Sequence, residues 1–298
     1  MPPALVADLD THRTCSQPAM LAVAAAPSTA PALPAAIHPA VEPLTAEAVL
    51  CLWERAFGQT PWDRDDLLLN AAGAAAMQRT LGARNAALMR LHAGWFGARL
   101  DLLSTCPQCA TTTEFAADSG ALAPQLDSAP PAASQWLELD GHRVEFRVPD
   151  VDAVVNATHA VRAEQAGQAM QAVPPGSDDS ARSFADELWS ACVLSAARNG
   201  QPCSAADLPE PVRLAVLQRM EVLDPGASVS FVLDCPACAA RWQAPFDIGL
   251  ALWRKLQDQA ERLLIDVDTL ARTYGWAQHE VLALSPLRRA AYLQLVRA

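Results

Sequence analysis

Four of the eight cysteines stand in two copies of one tetrapeptide, Cys106-Pro107-Gln108-Cys109 and Cys235-Pro236-Ala237-Cys238. Two thiolates three residues apart grip one metal ion from a tight turn, and proline after the first cysteine presets its φ. One such knuckle supplies half a tetrahedron. Two brought together complete a closed four-thiolate shell around zinc, the geometry of a structural site. The expected ligands are therefore Cys106, Cys109, Cys235 and Cys238, with zinc as the cofactor. Redox CxxC motifs sit at a helix N-terminus, where the dipole lowers a thiol pKa. Here Thr111-Thr112-Thr113 and Arg241-Trp242-Gln243 read as strand instead. Disulfides need an oxidising compartment, and a catalytic zinc needs an open position that four cysteines do not leave. The residue after each knuckle is alanine, Ala110 and Ala239, where a chain tending to positive φ favours glycine. That mismatch costs up to about 1 kcal/mol each, against roughly 10 kcal/mol for zinc-linked folding.

Other chemistry is thin. Cys15, Cys51, Cys192 and Cys203 are scattered; Cys51 and Cys192 lie in helical patterns, where a free thiol behaves as a small hydrophobe and not as a ligand. The pair His279-Glu280 lacks the second histidine of a zinc-protease helix, while His92 and His142 read as structural or solvated. Asp65-Asp66 and Asp178-Asp179 adjoin expected helix starts and read as caps or dipole partners. Arg288-Arg289 reads as a solvated face that an acidic partner could use. Neither a phosphate loop nor a nucleophile elbow is present, so the sequence predicts a noncatalytic protein.

The elements that must position the cysteines are mainly helical. With 51% hydrophobic and 18% charged residues the chain has a globular composition, and it carries no apolar run long enough for a membrane span. Its 33 acidic against 22 basic residues, a net charge of −11, disfavour general nucleic-acid binding. Paired CxxC in a cysteine-poor chain points to a reducing, cytoplasmic setting; the apolar stretch from Met20 to Ala26 follows Asp8 and Asp10 and makes a poor export signal.

Residues 1–43, rich in proline and alanine, read as a flexible arm. N-terminal helices occupy 44–97: one from Thr45 to Gly58, one capped by Asp63 or Asp65 and running through Ala75, and one from Thr80 to Gly97. Residues 98–149 form the first half of a zinc ribbon plus a hairpin around Asp140-Gly141. A helical insertion fills 150–228, with helices after Asp150, from Ser180 to Arg198, and from Pro211 to Leu223. The second half of the ribbon is 229–246, and 247–298 is again helical: a long helix ending at Tyr274-Gly275-Trp276, a short one, and a last one capped by Ser285-Pro286. The expected class is mainly α with a small β zinc ribbon (α+β), the ribbon split by a helical insertion.

The order LGARNAALMRLHAGWFGARLDLLSTCPQC, LDPGASVSFVLDCPAC, FDIGLALWRKLQDQAERLLIDVDTLARTYGW and LALSPLRRAAYL resembles the baseplate-protein family of contractile, T-even-type phage tails and phage-tail-like injection particles. The resemblance covers roughly residues 45–298; its most specific parts are the two knuckles and the stretch from Tyr274 to Tyr292. Family members often have CPxCG and a histidine before a Leu-Ala of the long helix. Here Ala110, Ala239 and Asp268 stand at those places, so a histidine-dependent role does not carry over. The resemblance implies a structural component or assembly factor of a tail baseplate, made in the cytoplasm and partnered by baseplate or tail proteins of the same particle. The competing expectation is a zinc-ribbon adaptor in regulation or nucleic-acid handling, which the acidic balance disfavours.

Overall fold

The computed structural model describes residues 41–74, 80–127, 133–170 and 184–297, with the side chains of 164–170 left aside. The expected arm at 1–43 and Asp178-Asp179 therefore lie wholly or mostly outside the described residues, as do Cys15 and Ala75.

Three threonines start the N-terminal helices. Thr45 Oγ1 accepts the Ala48 amide at 3.1 Å to begin α1 (Ala46–Ala56). Thr60, followed by Pro61, begins α2 (Pro61–Ala71), and Thr80 begins α3 (Leu81–Phe96). Asp63 and Asp65 are not the caps expected of them. Asp63 sits in the first turn of α2, where its carboxylate accepts the Thr60 hydroxyl at 2.7 Å, and Asp65 faces inward. Gly97, at φ 90°, ends α3 and turns the chain into the first cysteine hairpin.

That hairpin pairs β1 (Arg99–Thr105) with β2 (Thr112–Asp118), and the Asp118 carboxylate then caps a short helix, α4 (Ser119–Leu126). The sequence reading did not anticipate α4. Further on, β3 (Gln135–Leu139) and β4 (His142–Phe146) form the expected hairpin, with Asp140 at φ 49° and Gly141 at φ 72° supplying its two-residue turn. Their partner is not the cysteine hairpin. After α5 (Val151–Met170) and α6 (Phe184–Cys192), the chain enters β5 (Val193–Arg198), which pairs with β4, and β6 (Gln201–Pro202) completes a sheet of order β3-β4-β5-β6.

Two expectations are corrected here. The single helix expected from Ser180 to Arg198 ends at Cys192, and the segment expected to be wholly helical contains strands. The free edge of β4 offers a ladder to Val193–Arg198, and pairing overrides a weak helical periodicity. Asn199 at φ 48° and Gly200 at φ 81° make a hairpin turn there, not a helix stop. Val144, Phe146, Trp189, Val212 and Val216 build a separate core between this sheet, α6 and α7 (Glu210–Leu223).

The second cysteine hairpin pairs β7 (Val229–Asp234) with β8 (Arg241–Phe246). Asp247 then caps α8 (Ile248–Tyr274), which Gly275 closes in the left-handed region, and α9 (Gln278–Ala283) and α10 (Pro286–Arg297) fold back. Leu252, Leu256, Ala260 and Leu263 on α8 meet Val49, Leu68, Leu88 and Leu91 in the main core. Full burial of a leucine such as Leu256 contributes about 2 kcal/mol.

The Asp224-Pro225-Gly226 turn fastens the two cores. The Asp224 carboxylate accepts the Gly82 amide at 3.0 Å, acting as a remote cap on α3, and the Asn85 side chain donates to the Gly226 carbonyl at 2.9 Å. No helix among the described residues is long and apolar enough to cross a membrane.

Candidate metal centre

Each cysteine tetrapeptide forms the tip of its own two-stranded hairpin. In the first, the Cys106 amide donates to the Thr111 carbonyl at 2.9 Å and the Ala110 amide to the Cys106 carbonyl at 3.0 Å. In the second, Cys235 and Ala239 repeat the pattern against Ala240 and Cys235 at 2.8 and 2.9 Å. Ala110 and Ala239 both sit at φ 58°, the positive φ anticipated at that place. The backbone thus adopts the knuckle conformation twice, despite lacking the glycine that would adopt it freely.

The hairpins do not share a sheet. Side chains join them: the Phe115 and Phe231 rings meet edge to face with centroids 5.3 Å apart, and Trp242 Nε1 donates to Ser104 Oγ at 3.3 Å. Phe231 and Leu233 of β7 are buried in the main core, so the second hairpin is fixed by α8 and its neighbours. The tips are thereby held face to face.

All four expected ligands converge. The sulfurs of Cys106, Cys109, Cys235 and Cys238 lie within 4.8 Å of one another, with Cys106 to Cys238 at 3.7 Å and Cys109 to Cys235 at 3.5 Å. A metal–sulfur bond of about 2.3 Å makes the edge of a tetrathiolate tetrahedron about 3.8 Å. A disulfide would need sulfurs about 2.05 Å apart. The spacing suits four ligands around one ion. Cys106 and Cys235 are buried and Cys109 is exposed, so the site is at the protein surface with its first cysteines inward.

The thiols are not equivalent. The Thr111 hydroxyl, 3.2 Å from Cys109 Sγ, and the Thr111 amide favour the Cys109 thiolate and pull its pKa down to about 6. The Ala240 amide draws Cys238 the same way, but desolvation and the three neighbouring thiols outweigh it and push Cys238 up to about 12. Of this pair, Cys109 takes the negative charge readily and Cys238 resists it unless a cation joins the cluster. Thr111 was read in the sequence only as strand; its role is visible once Cys109 is placed two residues before it in a tight turn. After each knuckle the chain runs into β2 or β8, so neither tetrapeptide begins a helix of the kind that activates a redox thiol.

The scattered cysteines among the described residues stay apart from this cluster. Cys192 is buried in the second core, where burial raises its pKa to about 11; Cys51 is exposed on α1. His142 is buried at the β3–β4 turn, its Nδ1 3.0 Å from the Asp140 carbonyl.

His92 forms a buried pair not read from the sequence. Its Nδ1 lies 3.1 Å from Ser119 Oγ, and the Ser119 hydroxyl donates to the Ala98 carbonyl at 3.0 Å. The serine proton is therefore spent on a carbonyl, leaving Oγ to accept from His92 Nδ1–H. That is the reverse of the direction a nucleophilic serine requires. Burial, with the Lys255 charge second, lowers the His92 pKa and so favours the neutral ring.

Asp65 is a further buried polar centre. Arg84, nearly fully buried, lies between Asp65 at 3.6 Å and Asp66, and donates to the Trp62 carbonyl at 3.1 Å. Burial raises the Asp65 pKa to about 7 against the opposing pull of Arg84. This ties α2 to α3 and to the start of α8, where Gly249 leaves the carboxylate its space.

Comparison with known protein families, with curated proteins and with solved structures gives no match.

Proposed function

We propose that Cys106, Cys109, Cys235 and Cys238 hold one zinc ion as a structural clamp, and that the protein is a noncatalytic component or assembly factor of a phage-like contractile tail baseplate. The observation that carries the metal reading is the convergence of four thiols, from two hairpins far apart in sequence, within 4.8 Å of one another. An all-thiolate donor set selects zinc or iron–sulfur chemistry, and a single closed four-sulfur shell is the usual structural zinc arrangement. Bound there, zinc would supply a cross-link and no open coordination position. The residues themselves do the rest: Thr111 and Ala240 orient and stabilise thiolates, while Phe115, Phe231 and Trp242 keep the hairpin tips opposed.

The baseplate role rests on the resemblance of residues 45–298, above all of the knuckles and the Tyr274–Tyr292 stretch. Tyr274, Trp276 and Tyr292 form a compact aromatic cluster, with Tyr274 and Trp276 stacked at 4.9 Å and Tyr292 edge-on at 4.8 Å to Trp276. A cluster of that kind sets the angle at which the last helix returns along α8.

Two experiments separate the halves of the reading. Metal analysis of protein purified without added metal should find about one zinc per chain, and retention of zinc by the Cys106→Ser plus Cys235→Ser variant would sink the ligand assignment. A pulldown from cells expressing the whole gene cluster should recover baseplate subunits, and recovery of nucleic acid in their place would favour the adaptor reading. Isolated particles probed for this chain would then show whether it stays after assembly.

A further inference from the structure

Two bodies of this protein meet at one short turn. The main core gathers residues of α1–α4, both cysteine hairpins and α8; the second core gathers residues of β3–β6, α6 and α7, and no residue belongs to both. Helix α5 packs on α6, within the second body. The extensive packing between the bodies runs through Pro225–Ala227, held by α3 and α4 on one side and by α7 on the other. Hydrogen bonds across the joint land on the same turn. The Gly82 amide donates to the Asp224 carboxylate at 3.0 Å, and the Asn85 side chain donates to the carbonyls of Gly226 and Ala227 at 2.9 and 3.3 Å.

The chain leaves the main body after α4 and returns to it through Asp224, and those two points touch. Gly226 sits so close to its neighbours that a Cβ on it would strike the Leu126 carbonyl oxygen and the Gly82 Cα. The inserted body is therefore attached where its two ends adjoin. Asp224 and Gly226 are buried, so the joint is a small filled slot closed by polar bonds. Bodies joined by so small a contact move as units; a large apolar interface is what holds them still. The first turn of α3 carries a marker of that motion. Thr80 Oγ1 accepts the Ala83 amide at 3.1 Å within α3 itself, whereas the Gly82 amide has its partner on the turn. Undocking releases the second bond and keeps the first.

We propose that the Asp224–Ala227 turn is a latch. It leaves its slot between α3 and α4 as a unit, and the body of residues 133–223 swings on its adjoining ends while both cores stay folded. Such an opening is sub-global and more frequent than the unfolding of either core. It turns the four-stranded sheet relative to the cysteine hairpins without disturbing them. A partner that grips both bodies selects one angle between them. The proposal rests on neither the zinc site nor the baseplate reading.

Native-state hydrogen exchange of the full chain, read residue by residue by NMR, tests it. After correction for intrinsic rates, the Gly82 amide should exchange at least about tenfold faster than the Ala83 amide beside it. It should outpace by as much the amides in the middle of α8 and that of Arg147, which donates to the Cys192 carbonyl in the second body. Asn85→Ala keeps both caps of α3 and removes only bonds to the turn. It should speed Gly82 by about fivefold, the factor for one lost hydrogen bond, and leave the other amides unchanged. Asn85→Ala plus Asp224→Ala should hold the latch open, so that residual dipolar couplings of the two folded bodies need two separate alignment tensors. A Gly82 amide as slow as the core amides overturns the proposal, because the turn then leaves only on unfolding. So does equal exchange at Gly82 and Ala83, which is fraying of α3, or an Asn85→Ala variant with Gly82 unchanged. A double variant whose bodies share one tensor, or unfold together, overturns it as well.

Discussion

Replacing Ala110 and Ala239 by glycine should make the metal harder to remove. Both alanines are held at φ 58° immediately after the second cysteine of a knuckle. An L-residue in that left-handed region costs about 1–2 kcal/mol, a cost glycine escapes. Glycine pays in return for its wider unfolded ensemble, by about 0.4–1 kcal/mol. The difference leaves a gain of roughly 0.5–1 kcal/mol per site, and about 1–2 kcal/mol for the pair if the knuckles act independently. Where fixing the knuckle and binding the metal are one coupled step, the gain appears in metal affinity as a factor of about 5 to 30. Chelator competition read at equilibrium measures it directly. Ala290→Gly on the exposed side of α10 is the control: it should lower thermal stability by up to about 1 kcal/mol and leave the competition curve in place. A double-glycine variant that surrendered metal at the same or lower chelator concentration would refute the strain argument.

Asp65 makes stability depend on pH. Its carboxyl is raised from 3.8 to about 7 in the folded protein, first by burial, so the folded state holds the proton more firmly than the unfolded one. Its contribution is full below about pH 4 and is lost as pH rises through about 7, by at most about 4 kcal/mol. Asp65→Asn should flatten that part of the profile and exceed the wild type in urea resistance at pH 8; an unchanged slope would contradict this. Gly226→Ala places a Cβ 2.4 Å from the Leu126 carbonyl oxygen and 2.9 Å from Gly82 Cα, so it should cost about 1–3 kcal/mol and speed proteolysis between the two cores. Wild-type unfolding behaviour would show that this contact does not join them. Cys51→Ala and Cys192→Ala should each leave metal content unchanged, with Cys51 open to alkylation in the folded protein and Cys192 protected by burial. Halved metal content in either would mean the ligands are misassigned.

Local signals were legible wherever one residue type answers one physical need. Thr80 and Gly97 bracket α3, Asp247 and Gly275 bracket α8, and Asp140-Gly141 turns a hairpin, because caps and tight turns are settled by a few neighbouring atoms. The four cysteines were legible for the same reason, the chemistry of each knuckle being complete within four residues. Partnership was less so. Nothing in Val193–Arg198 announces that β4 presents a free edge, and the Asn199-Gly200 turn that follows serves a helix stop and a hairpin equally well. Asp65 read as a cap because only the folded chain brings Arg84 and Gly249 against it. The Asp224 cap on α3 spans 142 positions, beyond the reach of any local pattern.

X-ray absorption at the zinc edge of the purified protein tests the central claim most directly. The account predicts one shell of four sulfur scatterers at about 2.3 Å, with no nitrogen or oxygen in the first shell. A shell containing nitrogen or oxygen, or protein that holds no zinc when its cysteines are reduced, would contradict it.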